Sequence, residues 1–249
     1  LIQGDSATGK TTLINMIRQA ASLGEDSGIQ MTCDVDCMPL EGPGWKLLLQ
    51  HTKNTIFFSD EDSAFITTEE FAREIRKTDN YVVLITRDSL YNLPYSVEDI
   101  YGIHSSGKYQ STQRVYQTLY QIYPAPDRVS MGSFEHSPVP GLVMTEDSNA
   151  GHDFFSNVCS EKNITCVSAN GKSSIFSKLK ELDAENIGDI YVVADGAAIG
   201  PEMGRLAKAV QENPSVRLYL PESFEWILLR SGLIDGIFYN KVFTKYIYS

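Results

Sequence analysis

The sequence predicts an α/β protein with mostly parallel strands, and three observations carry that expectation. β-rich runs alternate with stretches whose apolar residues recur at helical spacing, the pattern of strands joined by crossover helices. The alternation occurs twice, interrupted by Pro124, Pro126, Pro138 and Pro140. With 42% hydrophobic and 21% charged residues over 249 positions, the chain has the composition of a folded protein and the length of about two domains.

In the first half, strands are expected at residues 1–3, 29–33, 55–59 and 81–86. Helices are expected at 11–21, where Leu13, Ile14, Ile17 and Ala20 share a face, and at 68–77. Residues 91–123 are rich in Tyr. Within them, 114–123 suits a strand by its β-branched and aromatic content and a helix by its Val115, Leu119 and Ile122 spacing; strand is favoured. The proline cluster then reads as a linker. A second series follows, with strands at 142–145, 164–168, 190–194 and 216–220 and helices at 152–161, 173–182, 202–211 and 223–231. The expected domains are 1–123 and 141–249, joined by 124–140.

Charge narrows the function classes. The 21 Lys and Arg against 32 Asp and Glu leave a formal net charge of −11, opposite in sign to a surface that coats phosphates. Carboxylates that hold metal ions remain compatible with it. The longest apolar run, Tyr81 to Ile85, has five residues, whereas a membrane-spanning helix needs about 18. Cys33, Cys37, Cys159 and Cys166 are too few for a disulfide scaffold, and the C-x3-C pair has no second pair to complete a zinc set. Reduced thiols in a cytoplasmic protein are expected. The first residue is Leu1, not Met, so a few N-terminal residues are expected to be missing, and no signal-peptide pattern is present.

Gly4-Asp5-Ser6-Ala7-Thr8-Gly9-Lys10-Thr11 matches G-x-x-x-x-G-K-[ST], the phosphate-binding P-loop or Walker A motif. Gly4 and Gly9 allow a tight turn in which backbone N–H groups point at phosphate oxygens. Lys10 reaches the β- and γ-phosphates, and the Thr11 hydroxyl is placed for Mg²⁺. The helix starting here, with Thr12 in its first turn, presents free N–H groups and its positive dipole end to the same anions.

Thr55-Ile56-Phe57-Phe58-Ser59-Asp60-Glu61 is an apolar strand ending in two carboxylates. It resembles the Walker B element of P-loop ATPases. That resemblance implies that Asp60 holds Mg²⁺ and that Glu61 polarises the attacking water; Asp62 follows at once and leaves the register open. The next strand ends on Thr86 and Arg87. In the same family a polar residue at that tip senses the γ-phosphate, and an Arg can also stabilise transition-state charge. Asp34 and Asp36, just after the strand expected at 29–33, are candidates for contact with a metal-bound water or a substrate. No N-K-x-D guanine-reading element follows, so ATP is the expected nucleotide.

In the second half, Leu142-Val143-Met144-Thr145-Glu146, Gly171-Lys172-Ser173-Ser174-Ile175 and Tyr191-Val192-Val193-Ala194-Asp195-Gly196-Ala197 resemble the Toprim domain. Topoisomerases, DnaG-type primases and the overcoming-lysogenisation-defect (OLD) nucleases share it. The resemblance implies Glu146 and Asp195 as ligands of a metal ion. The D-x-D pair of that family is broken here by Ala197, with Asp147 and Glu202 as the candidate substitutes, and hard cations want several oxygen ligands, so nuclease activity is not expected. A rival reading is a flavodoxin-like sheet whose Glu146, Asp147 and Asp195 form an acidic pocket without metal chemistry. His152 has no nucleophile–acid partner pattern, and Phe224 and Trp226 read as core or interface.

Together these features predict a Mg-dependent ATPase whose nucleotide state is coupled to a Toprim-like domain, in a nucleic-acid or mobile-element process. The chain lacks the long helical insertion and LSGGQ-type signature of the OLD proteins, so it would be a reduced relative. The expected partners are the nucleotide and a protein or second copy; the net charge gives nucleic acid no support. Two alternatives stand. One is a small-substrate kinase in which Asp34 or Asp60 orients an acceptor hydroxyl. The other is a nucleotide-dependent switch that offers the Tyr-rich segment and acidic pocket to a partner.

Overall fold

β-branched and aromatic runs pair into two separate sheets in the computed structural model, which describes residues 1–4, 9–105, 117–123, 139–182 and 187–231. The chain divides into two compact units, Leu1–Pro124 and Ala125–Ser249. Both are α/β. The linker expected at 124–140 falls mainly on residues outside the described ones, as does the 114–116 part of the strand expected at 114–123.

Unit 1 runs β1 (Ile2–Gln3), α1 (Lys10–Leu23), β2 (Asp36–Pro39), α2 (Trp45–His51), β3 (Thr55–Asp60), α3 (Glu69–Ile75), β4 (Tyr81–Thr86), β5 (Tyr101–Ser105) and β6 (Gln117–Gln121). The sheet order is β2-β3-β4-β1-β5-β6. The first five strands in that order are parallel and β6 returns antiparallel along β5. Side chains of a strand alternate between faces, and both faces here are covered. Phe57 and Leu84 join a core with Leu40, Trp45, Leu49 and Phe71. Phe58 and Val83 pack on the other face with Ile2, Ile14 and Ile85. Helix α1 turns Ile14 and Ile17 inward. Thr68 caps α3, its hydroxyl accepting the Phe71 N–H, and Glu69 and Glu70 sit favourably in the first turn.

Two differences from the sequence expectation have physical causes. No strand forms at 29–33; β2 begins at Asp36, because Met38 and fully buried Leu40 are the side chains that reach the core while Met31 is exposed. As an edge strand, β2 tolerates Pro39. The described part of 114–123 is a strand, Gln117–Gln121, where Ile103 faces Leu119 and Tyr120 lies over Gly102. Strand β5 and the seven-residue α2 were not expected.

Unit 2 runs β7 (Leu142–Thr145), α4 (Ala150–Glu161), β8 (Thr165–Ser168), α5 (Lys172–Glu181), β9 (Ile190–Val193), α6 (Met203–Glu212), β10 (Val216–Tyr219) and α7 (Phe224–Ser231). All its strands are parallel in the order β10-β9-β7-β8. Every residue of β7 is buried, as a central strand under helices on both faces requires. No helix among the described residues is long and apolar enough to cross a membrane.

Candidate functional site

Open parallel sheets bind ligands beyond the carboxyl ends of their strands, and in unit 1 those ends carry the acids and bases singled out above. Ile2, Ile85 and Asp60 lie in register across β1, β4 and β3. At a strand spacing of about 4.8 Å, Asp60 stands about 10 Å from β1. Gly4 leaves β1, and Gly9 opens α1 with φ 93°, a left-handed conformation that suits glycine. A Cβ there would also meet the Gln117 amide at 2.5 Å, so β6 covers the start of the helix. Asp5, Ser6, Ala7 and Thr8 lie outside the described residues. Lys10 is buried, its ammonium donating to the Gly4 carbonyl, while Thr11 and Thr12 are exposed in the first turn of α1. Among the described residues, the N-cap is Gly9, which has no side chain to cap that helix end.

Asp60, the last residue of β3, is 7% exposed. Its Oδ2 accepts from Arg18 Nη2 at 3.0 Å, and its buried Oδ1 has no hydrogen-bond partner. Glu61 is exposed and bound by Arg87 twice: the Arg87 N–H donates to Oε2 at 3.0 Å and Nε lies 3.1 Å from Oε1. Asp62 is exposed in the following turn, so the buried strand-end acid is Asp60. Thr86 is buried and its hydroxyl is engaged by the Asp88 backbone, which leaves Arg87 as the outward-facing group at the β4 tip. Asp34 and Asp36 do not join this site. Asp36 opens β2 and Asp34 precedes it, at the amino edge of the sheet, because the strand begins later than expected.

Arg18 and Glu41 are the members that sequence reasoning missed. Arg18 Nε contacts Glu41 Oε1 at 2.5 Å, so one guanidinium spans Glu41 and Asp60. The available signal was a lone Arg beside Ile14 and Ile17, the apolar stripe of α1.

In unit 2 the first and third strands of the series, β7 and β9, are neighbours at the centre. Their carboxyl ends open into a cleft of about 210 Å³. Glu146, Asp147, Asp195 and Glu225 are its acidic lining, and Phe155, Phe224 and Ile227 its apolar wall. Glu146 Oε2 accepts the Asp195 N–H at 2.9 Å, and Asp195 Oδ1 accepts the Ala197 N–H at 2.9 Å. Gly196 makes this junction possible, since a Cβ there would lie 2.6 Å from the Leu220 carbonyl oxygen. Asp147 is turned into a local bond, its Oδ2 accepting the Asn149 N–H at 3.2 Å. Burial raises the Glu146 carboxyl above its ordinary value; the Asp195 N–H and Lys172 oppose this, and the Asp195 and Asp147 charges add to it. Asp195 is raised by burial and by Glu225, against the Ala197 N–H and Lys172.

Glu202 is buried but does not line the cleft. Among the described residues, no group of three or more His, Cys, Asp or Glu is arranged to hold a metal ion. His152 Nδ1 lies 3.0 Å from Thr145 Oγ1, a partly buried polar contact within the fold. All four cysteines are free. Burial pushes the Cys37 thiol up to about 11, with the neighbouring Cys33 adding to the shift. Burial likewise takes Cys166 to about 11, helped by Cys159. Both are protonated at neutral pH.

No family model matches the chain, and neither a curated protein nor a solved structure matches it.

Proposed function

We propose that unit 1 binds ATP with Mg²⁺ and hydrolyses it, its nucleotide state acting on a Toprim-like unit 2. The observation that carries this reading is the buried Asp60, with one unpartnered oxygen, at the same sheet edge as the Gly9-Lys10-Thr11 helix start and the Glu61–Arg87 pair. A buried carboxylate oxygen without a donor is costly unless something completes it, and a hydrated divalent cation does so with the right chemistry. Asp60 and the Thr11 hydroxyl are hard oxygen ligands of the kind Mg²⁺ takes with substrate phosphates. Bound there, the cation would neutralise charge on the β- and γ-phosphates.

The protein's own groups do the rest. The first-turn N–H groups of α1 and the Lys10 ammonium bind the phosphates, Lys10 exchanging the Gly4 carbonyl for a phosphate oxygen. Glu61 accepts the proton of the attacking water, and Arg87 leaves Glu61 to meet charge on the γ-phosphate. In the described geometry Arg87 and Glu61 engage each other, so turnover requires that pair to part. Of the two acids a kinase would use to orient an acceptor, Asp34 lies at the opposite edge and Asp60 is held by Arg18, which favours a nucleotide-dependent switch over a kinase as the second reading.

For unit 2, the adjacent Glu146 and Asp195 support the Toprim-like reading, with at most a weak cation site. Ala197 removes the expected third oxygen donor, so no nuclease activity is assigned.

Phosphate release from ATP tests the main reading. We expect slow Mg²⁺-dependent turnover in the wild type and loss of nucleotide binding in Lys10→Ala. Glu61→Gln should keep binding while turnover drops about 10²-fold or more. Unchanged activity in Lys10→Ala overturns the assignment.

A further inference from the structure

We infer that Arg18 is a positioning residue for the metal carboxylate of unit 1, holding Asp60 by one oxygen so that the other is presented to the cation. The inference rests on the Mg·ATP reading above. Three contacts fix the guanidinium plane: Nη2 to Asp60 Oδ2 at 3.0 Å, Nε to Glu41 Oε1 at 2.5 Å and Nη1 to Asn15 Oδ1 at 3.0 Å. A guanidinium is a rigid planar fork, so donors engaged in three directions leave it no freedom to turn. Asp60, 7% exposed, is thereby held at Oδ2 while Oδ1 stays without a partner.

Glu41 matters to the electrostatics. A lone Arg18–Asp60 pair would be neutral, and its guanidinium would repel an arriving cation. Sharing Arg18 between two carboxylates leaves the trio with a net charge of −1, still attractive to a divalent ion. The location matters to the mechanics. Arg18 is on the helix that begins with Lys10, about 12 Å further along its axis. The element that presents N–H groups to phosphate thus also grips the acid that meets the metal, so the two halves of the site are set by one rigid body. Ligand-orienting partners of this kind typically account for about 10–100-fold in metal affinity.

The test is equilibrium Mn²⁺ binding in the presence of ADP, read by the paramagnetic resonance signal of free Mn²⁺, beside ADP affinity measured without metal. Arg18→Met keeps the apolar stem and removes every donor. It should weaken Mn²⁺ binding by about tenfold or more and leave metal-free ADP affinity nearly unchanged. Arg18→Lys, with the charge but not the fork, should fall between. Glu41→Gln, which keeps Arg18 and an amide oxygen to accept from it, should also weaken Mn²⁺ binding.

Arg18→Met leaves the two acids at −2, so charge alone would tighten Mn²⁺ binding; wild-type or tighter affinity in Arg18→Met, or wild-type affinity in Arg18→Lys or in Glu41→Gln, overturns the proposal. So does a parallel loss of metal-free ADP affinity in Arg18→Met, which marks general damage to α1. Failure of the nucleotide reading itself looks different: the wild type would bind no ADP.

Discussion

Arg87→Ala separates a resting contact from a part in turnover. Arg87 gives Glu61 two bonds, one from its backbone N–H and one from Nε. The backbone bond survives the substitution. The ion pair that does not survive joins side chains 58% and 41% exposed. Solvent screens such a pair, and it contributes about 0.2–1 kcal/mol. Loosening Glu61 by that much changes the rate by about fivefold at most, at 1.36 kcal/mol per factor of ten. An arginine that meets developing phosphoryl charge acts on another scale, about 10³-fold or more. We therefore expect kcat for ATP to fall by at least about 10²-fold, or 2.7 kcal/mol. The thermal midpoint should stay within about 4 °C of wild type, the shift that a loss of up to about 1 kcal/mol gives. Steady-state phosphate release at saturating Mg²⁺, with thermal unfolding of the same preparations, reads both. A fall of less than fivefold refutes the reasoning and leaves Arg87 as a surface partner that merely steadies Glu61.

Two further outcomes are expected. Phe57 is fully buried at the centre of the larger unit 1 core, so Phe57→Ala should cost about 3–5 kcal/mol. Denaturant unfolding followed by the fluorescence of Trp45, in the same core, measures this, and a loss below about 1 kcal/mol would show that Phe57 is not a packing centre. Glu146 tests the electrostatics of the cleft. Its folded carboxyl titrates above the ordinary 4.5, so around and above that value the native state holds more proton than the unfolded chain. Stability then declines as pH rises through the folded value, and below 4.5 the penalty is absent. Glu146→Gln, which can still accept the Asp195 N–H, should raise the thermal midpoint at pH 8 and lose that advantage below pH 4.5. An advantage independent of pH would point to packing instead.

The elements most legible in the sequence are those whose side chains are buried on local grounds. Tyr81–Thr86 and Leu142–Thr145 are contiguous apolar runs, and the structure has strands at those residues. Strand β2 was misplaced because nothing local distinguishes Ile29 and Met31 from Met38 and Leu40. The choice is made by Phe57 and Trp45, which pack against the later pair. Helix α2 is too short to show a period, and its Leu47 faces solvent. In the candidate site, the acids at strand ends could be read as motifs. The contacts they make could not: Arg18 of α1 meets Asp60 across 42 residues, and Arg87, itself read at its strand tip, meets Glu61 across 26, through helix packing and strand pairing that no spacing encodes.

Strand β1 contributes only Ile2 and Gln3, yet it sits in the middle of its sheet. Both its neighbours, β4 and β5, lie more than eighty residues further along the chain. Contacts so distant in sequence are closed late and slowly. A ribosome that has released residues 1–80 has made the phosphate-binding motif and the strand-end acids, but no slot in which β1 can pair. On the proposed reading, the nucleotide site is therefore complete only with the finished sheet, and ATP present during synthesis would find it only after β4 and β5 have emerged.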